Sequence, residues 1–140
     1  MKYAFDSLMK PLALLALLST LLCLSGCDDS RPTTAPLTGN VTYNGKSLSI
    51  GQIVFVPPAG RSAFGEIKDS EIVNVTTFKR GDGVIPGQAK VSIKCITNMN
   101  SIKGPHDPMI PEKFFTPESS GLTFEVKSDS PNEYVVDLKD

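Results

Sequence analysis

Three cysteines and a single histidine are the scarcest reactive residues in this chain of 140, and their positions restrict its chemistry. Cys23 and Cys27 lie near the start, and Cys95 stands far from both. His106 is the lone imidazole, so a zinc site needing paired ligands and a distant histidine cannot be assembled. With a single imidazole no histidine-based acid–base set can be assembled, and no catalytic residue is assigned. One loop gathers Met99, His106, Asp107 and Met109. Thioether with imidazole suits copper, so metal handling by the Met99–Met109 loop is the alternative functional reading. Asp69, Glu71 and Asp82 could approach one calcium ion, but the dense oxygen-ligand run of a calcium loop is absent. Lys79-Arg80-Gly81-Asp82 contains an adhesion-type Arg-Gly-Asp tripeptide, which is read as loop chemistry. No cofactor is expected.

Cys27 carries the most specific chemistry. Pro11 to Leu24 is an almost wholly apolar run behind Lys2 and Lys10, and Asp28 and Asp29 close it sharply. A bilayer-spanning helix needs about 20 apolar residues, so this shorter run reads as the core of a signal peptide. It ends in Leu24-Ser25-Gly26-Cys27. Small side chains at 25 and 26 let the backbone enter a narrow peptidase cleft, and cysteine alone forms a stable thioether. The segment resembles the bacterial lipobox. That resemblance implies cleavage between Gly26 and Cys27, a diacylglyceryl group on the Cys27 sulfur and a further acyl chain such as palmitate on its amine. Each buried methylene contributes about 0.8 kcal/mol, and two or more chains anchor stably. Cys23 is then discarded and Cys27 consumed, which leaves Cys95 without a disulfide partner. Its place on the alternating face of Val91 and Ile93 marks it as a buried, inert thiol.

The elements that must present any site come from the remaining 140 − 26 = 114 residues, enough for one small domain. A formal net charge of −1 without a basic block gives no electrostatic footprint for nucleic acid. Eleven prolines and eleven glycines favour many turns and short strands. Residues 1–26 read as signal peptide, 27–36 as a lipidated flexible tether and 37–140 as the folded domain.

From Leu37 onward the apolar pattern has period two, the mark of strands with one buried face. Leu37, Gly39, Val41 and Tyr43 share a face, and Asn44-Gly45 is a strong hairpin signal. Lys46 to Ile50 leads to a turn expected at Gly51. Further strands are expected at 52–56 with Ile53 and Phe55 inward, at 63–68, and at 71–78 with Val73 and Val75 inward. Others follow at 89–97, at 122–126 and through Tyr134, Val136 and Leu138. Lys79 to Gly87 reads as a glycine-punctuated loop and Asn98 to Glu112 as a long irregular segment. About seven strands in about 100 residues is the usual content of a β-sandwich, so the fold class is all-β.

Leu37–Lys46, Thr76–Val91 and Ile110–Val126 together resemble small bacterial lipoproteins with a transthyretin-like (prealbumin-like), carboxypeptidase-regulatory-like domain. The resemblance implies a seven-stranded Greek-key β-sandwich behind a lipid anchor. Relatives often carry Asp-x-Asp-Gly where this chain has Lys68-Asp69-Ser70-Glu71, which leaves that turn type open. One enzymatic branch of transthyretin-like proteins hydrolyses a purine-derived substrate. It needs several histidines and a terminal Tyr-Arg-Gly-Ser, whereas this chain ends Asp137-Leu-Lys-Asp140. The expected role is that of an exported lipoprotein, held to the cell membrane or outer membrane through Cys27 and facing the periplasm or exterior. Its non-catalytic module would bind or scaffold an envelope protein or glycan.

Overall fold

The computed structural model describes residues 31–96 and 108–140. Among them the chain is all-β. The strands are β1 (Leu37–Tyr43), β2 (Lys46–Ser47), β3 (Ile50–Val56), β4 (Ala63–Lys68), β5 (Glu71–Thr76), β6 (Gly87–Lys94), β7 (Leu122–Val126) and β8 (Asn132–Leu138), with one 3-10 turn at Glu112–Phe115. They form one hydrogen-bonded series in the order β2-β1-β5-β4-β3-β6-β7, with β8 on the other side of β1. Every pairing is antiparallel except β1 with β8.

The sheet curls because each strand presents one apolar face and that face must be covered. Val41, Ile53, Phe55, Ile67, Val91 and Ile93 are fully buried, and Leu138 almost so. The curl brings the two ends of the series together through aromatic rings. Tyr134 of β8 meets Phe124 of β7 at 5.1 Å between centroids and Phe55 of β3 at 5.7 Å, both edge-to-face. Such pairs contribute about 0.5–1.5 kcal/mol beyond the area they bury. Phe114, carried by the 3-10 turn, closes the core from the irregular segment. Below it the Ser120 hydroxyl donates to the Val91 carbonyl at 2.5 Å.

Several strands differ from their sequence-based bounds, each for a local reason. Gly51 is no turn. It lies inside β3 opposite Ile67, where a Cβ would stand 2.4 Å from the Cys95 sulfur. The chain turns at Leu48–Ser49 instead, held by the N–H groups of Ser70 and Asp69 donating to the carbonyls of Leu48 and Ser49. Asp69 and Ser70 both have positive φ, 50° and 75°, which resolves the open turn as a two-residue hairpin of primed geometry. The strain at Ser70 is held in place by its hydroxyl, which accepts from the Leu48 N–H at 3.1 Å and shares a hydrogen bond with the Ser47 hydroxyl at 2.8 Å. Strand β6 begins at Gly87 and ends at Lys94, earlier at both ends than 89–97.

Strand β5 departs most instructively. Strict alternation points Val73 and Val75 inward, yet the buried pair is Ile72 and Val75. The register against β4 slips between Phe64 and Glu66. Asn74, at φ 56°, is the extra residue of a β-bulge, and asparagine tolerates that left-handed conformation better than most. Asn74→Gly is therefore expected to change stability by less than about 0.5 kcal/mol, and Asn74→Val to lose about 2 kcal/mol. Urea unfolding of the two variants measures the difference, and equal midpoints would remove the bulge from the account.

Candidate functional site

Gly26 and Cys27 lie outside the described residues, as do Met99, His106 and Asp107. Of the four copper-type candidates only Met109 is among the described residues. It is half-buried against the core, and its N–H donates to the Cys95 carbonyl at 2.9 Å. Ile96 and Pro108 form a bridge at the neck of the same segment.

The acidic candidates do not converge. Asp69 is exposed in the β4–β5 turn and Glu71 is exposed at the start of β5. Asp82 is engaged elsewhere: its carboxylate accepts from the backbone N–H groups of Thr77 at 2.7 Å, Phe78 at 2.9 Å and Lys79 at 2.8 Å. Burial pushes this carboxyl up, but the Thr77, Lys79 and Phe78 donors outweigh it and hold the group below its ordinary range. The Thr77 hydroxyl donates to the Gly83 carbonyl at 2.6 Å, and the Gly81 N–H donates to the Thr76 hydroxyl at 3.0 Å. The Arg-Gly-Asp tripeptide thus sits in a loop whose aspartate closes the loop itself. Among the described residues no three His, Cys, Asp or Glu side chains gather closely enough to hold a metal ion.

Cys95 is fully buried beside Val91 and Ile93, the environment its alternation indicates. Burial pushes its thiol up to about 12 and the Tyr134 phenol also to about 12. Both folded values exceed those of the exposed groups, 9.0 and 10.0. An unfolded chain therefore releases protons that the folded chain retains. Stability is fully present below about pH 9 and is lost as pH rises toward about 12. Denaturant midpoints are expected to fall over that window by a few kcal/mol equivalent, with a shallower slope in Cys95→Ala. Native protein should resist thiol reagents at pH 8 until it unfolds, and rapid native labelling would contradict the burial.

Two surface features remain. A concavity of about 520 Å³ lies at one end of β3, β4 and β6, lined by Ile50, Gln52, Glu66, Lys68, Lys94 and Ile96. Its charges are spent locally: Lys68 pairs with Glu66 at 2.5 Å, and Lys94 lies 5.7 Å from the Phe115 ring centre. The second feature is the outer edge of β8. Among the described residues β8 pairs with β1 alone. The Leu138 carbonyl accepts from the Asn44 N–H at 2.9 Å, so alternate backbone groups from Asn132 to Leu138 face β1. Those of Glu133, Val135 and Asp137 face away. The side chains of these same three residues are exposed, and Val135, at 67%, is the most exposed large apolar residue described.

This edge is fixed at both ends. At its start Asn132 is buried; its side-chain amide accepts from the Lys127 N–H at 2.8 Å and donates to the carbonyls of Lys127, Ser130 and Pro36 at 2.9–3.2 Å. At its end the Asp137 carboxylate accepts from the Thr42 hydroxyl at 2.9 Å and the Gly45 N–H at 2.8 Å and pairs with Lys139. Lys139, Gly45 and Thr42 together hold that carboxyl down at about 2. The tip of the β1–β2 hairpin therefore clamps β8. Sequence patterning identifies the strand through Tyr134, Val136 and Leu138, but only the pairing shows that it lies at an edge and that Glu133 belongs to its exposed series. No family model, curated protein or solved structure matches this chain.

Proposed function

We propose that this protein is an exported lipoprotein whose small β domain, held at the cell envelope through lipid on Cys27, binds another envelope component without catalysis. The curled sheet is read as a transthyretin-like Greek-key sandwich, its two arms being the two faces that sandwich the core. The supporting contact is the meeting of Phe55 and Phe124 with Tyr134. One observation supports the non-catalytic reading: among the described residues, the loop aspartate Asp82 and the thiol of Cys95 are both committed to the fold. Asp82 closes its own loop, Cys95 is a buried neutral thiol, and the outer edge of β8 has no partner strand among the described residues.

The distance from lipid to domain is short. Ala35 is buried and bridges Val84, with N–H to carbonyl bonds of 2.8 Å and 2.9 Å in the two directions. Ala35 lies eight residue steps after Cys27 (35 − 27 = 8), a path of at most roughly 28 Å when extended. The domain is thereby confined to a thin layer above the membrane. Replacing Cys27 with serine is expected to move the protein from the membrane pellet to the soluble fraction and to abolish metabolic labelling by palmitate. Recovery of the wild-type polypeptide with Met1 intact and no fatty modification would sink the proposal.

A further inference from the structure

We infer that the outer edge of β8 is a docking site for an extended polypeptide segment carrying basic residues on either side of an apolar one, added antiparallel as a further strand. The inference rests on the binding role proposed above and names its surface and partner. Three observations converge on it. The backbone groups of Glu133, Val135 and Asp137 face away from β1 and are left without a strand among the described residues. An unpaired row of this kind is a template for strand addition. The edge is also preorganised, since Asn132 and Asp137 clamp its two ends, and a strand already held extended loses little entropy on pairing.

The third observation selects the occupant. The outward side chains read acid, apolar, acid: Glu133, Val135 and Asp137, of which Asp137 already pairs with Lys139 and Glu133 has no ion pair with a described residue. Beside them lies a concavity of about 480 Å³ whose lining includes Thr38, Asn40, Glu71, Val73 and Glu133 and no basic side chain. An arginine placed opposite Glu133 could direct its guanidinium toward that concavity, where Glu71 provides a second carboxylate. A branched apolar residue opposite Val135 would cover the most exposed apolar side chain, as cross-strand pairs do. The same charges disfavour a second copy. Antiparallel pairing of two β8 edges centred on Val135 sets Glu133 against Asp137 twice, and like charges directly opposite are destabilising. Lysine, a common edge-protecting residue, is absent from β8 itself and follows the strand at 139.

The test uses the full lipidated protein in detergent micelles and a fluorescent peptide containing Arg-Thr-Val-Thr-Arg, followed by fluorescence anisotropy. Saturable binding is expected, weakening several-fold when salt is raised from about 50 to about 300 mM. Val135→Lys is expected to weaken it roughly tenfold or more, and Glu133→Lys by a similar factor. Both substitutions lie at exposed positions, and unchanged circular dichroism will confirm folding. A Glu-Thr-Val-Thr-Glu peptide should not bind, nor should the arginine peptide with an N-methylated central valine. Equal binding of both charge types, indifference to Val135→Lys, or no binding overturns the inference. So does a salt-resistant dimer that Val135→Lys disperses, since the occupant would then be a second copy. Failure of the anchoring proposal is a separate result: Cys27→Ser protein remaining in the membrane pellet would overturn that reading while peptide binding stood.

Discussion

Gly39→Ala is expected to destabilise the domain by about 3 kcal/mol and to release β8 from β1. Gly39 lies opposite Tyr134 in the parallel register. A Cβ there would stand 1.9 Å from the Tyr134 carbonyl oxygen, 2.7 Å from its carbon and 3.0 Å from its nitrogen. These are backbone atoms of a neighbouring strand and cannot swing aside as the tip of a side chain can. The two strands must separate, and the Tyr134 ring would leave Phe55 and Phe124 with them. Gly45→Ala is the matched control. Gly45 has φ 74°, but an added methyl group would meet nothing within 4 Å, so its cost is conformational, about 1 kcal/mol. Guanidinium unfolding of both variants compares the two. If Gly39→Ala costs no more than Gly45→Ala, the parallel pairing of β1 with β8 is wrong. The candidate edge would fall with it.

Asp82 gives the second large effect. Removing its carboxylate leaves three backbone N–H groups without their acceptor, and hydrogen bonds to a charged group are worth about 1.5–3 kcal/mol. Asp82→Ala is expected to cost about 3 kcal/mol and Asp82→Asn about half as much, because the amide oxygen still accepts. Acid should act in the same direction. The folded carboxyl lies below its ordinary value of 3.8, so its contribution is complete above that pH and is lost as pH falls through the folded value. Asp137, held at about 2, extends the acid-sensitive window downward. Urea midpoints between about pH 5 and 2 should decline in the wild type and decline less in Asp82→Asn. An identical acid slope in the two proteins would remove Asp82 from this role.

The strands with one buried face were legible because period two is a local property. Ile53 and Phe55, then Ala89, Val91, Ile93 and Cys95, and Tyr134 with Leu138 all point inward as their alternation requires. The misread places are those where a neighbour outside the local pattern intervenes. Gly51 resembles a turn residue until the Cys95 sulfur is seen to occupy the space beside it. The inward pair of β5 is Ile72 and Val75 because Asn74 inserts a bulge against β4, and nothing in Val-Asn-Val announces it. Thr77 resembles the end of a strand but is buried, with its hydroxyl committed to Gly83. The candidate site follows the same division. Alternation sets Val135, Asp137 and Lys139 opposite Tyr134, Val136 and Leu138, whereas the part of Glu133 and the open edge itself appear only in the pairing.

The amino-acid order alone determined that the chain would form short strands with one apolar face, where Asn44-Gly45 would reverse it, and that Cys95 would sit among core residues. These follow from side-chain alternation and backbone preference, which depend on residues near in the chain. Tertiary structure decided that β8 pairs in parallel with β1, that Asp82 is used up by its own loop, and that the outer edge of β8 has no partner strand among the described residues. Those outcomes depend on residues up to 95 and more positions apart, such as Thr42 and Asp137, meeting once the sheet curls. No local pattern encodes which strand will be left at the end of the series, because that is fixed by how the whole apolar surface is covered.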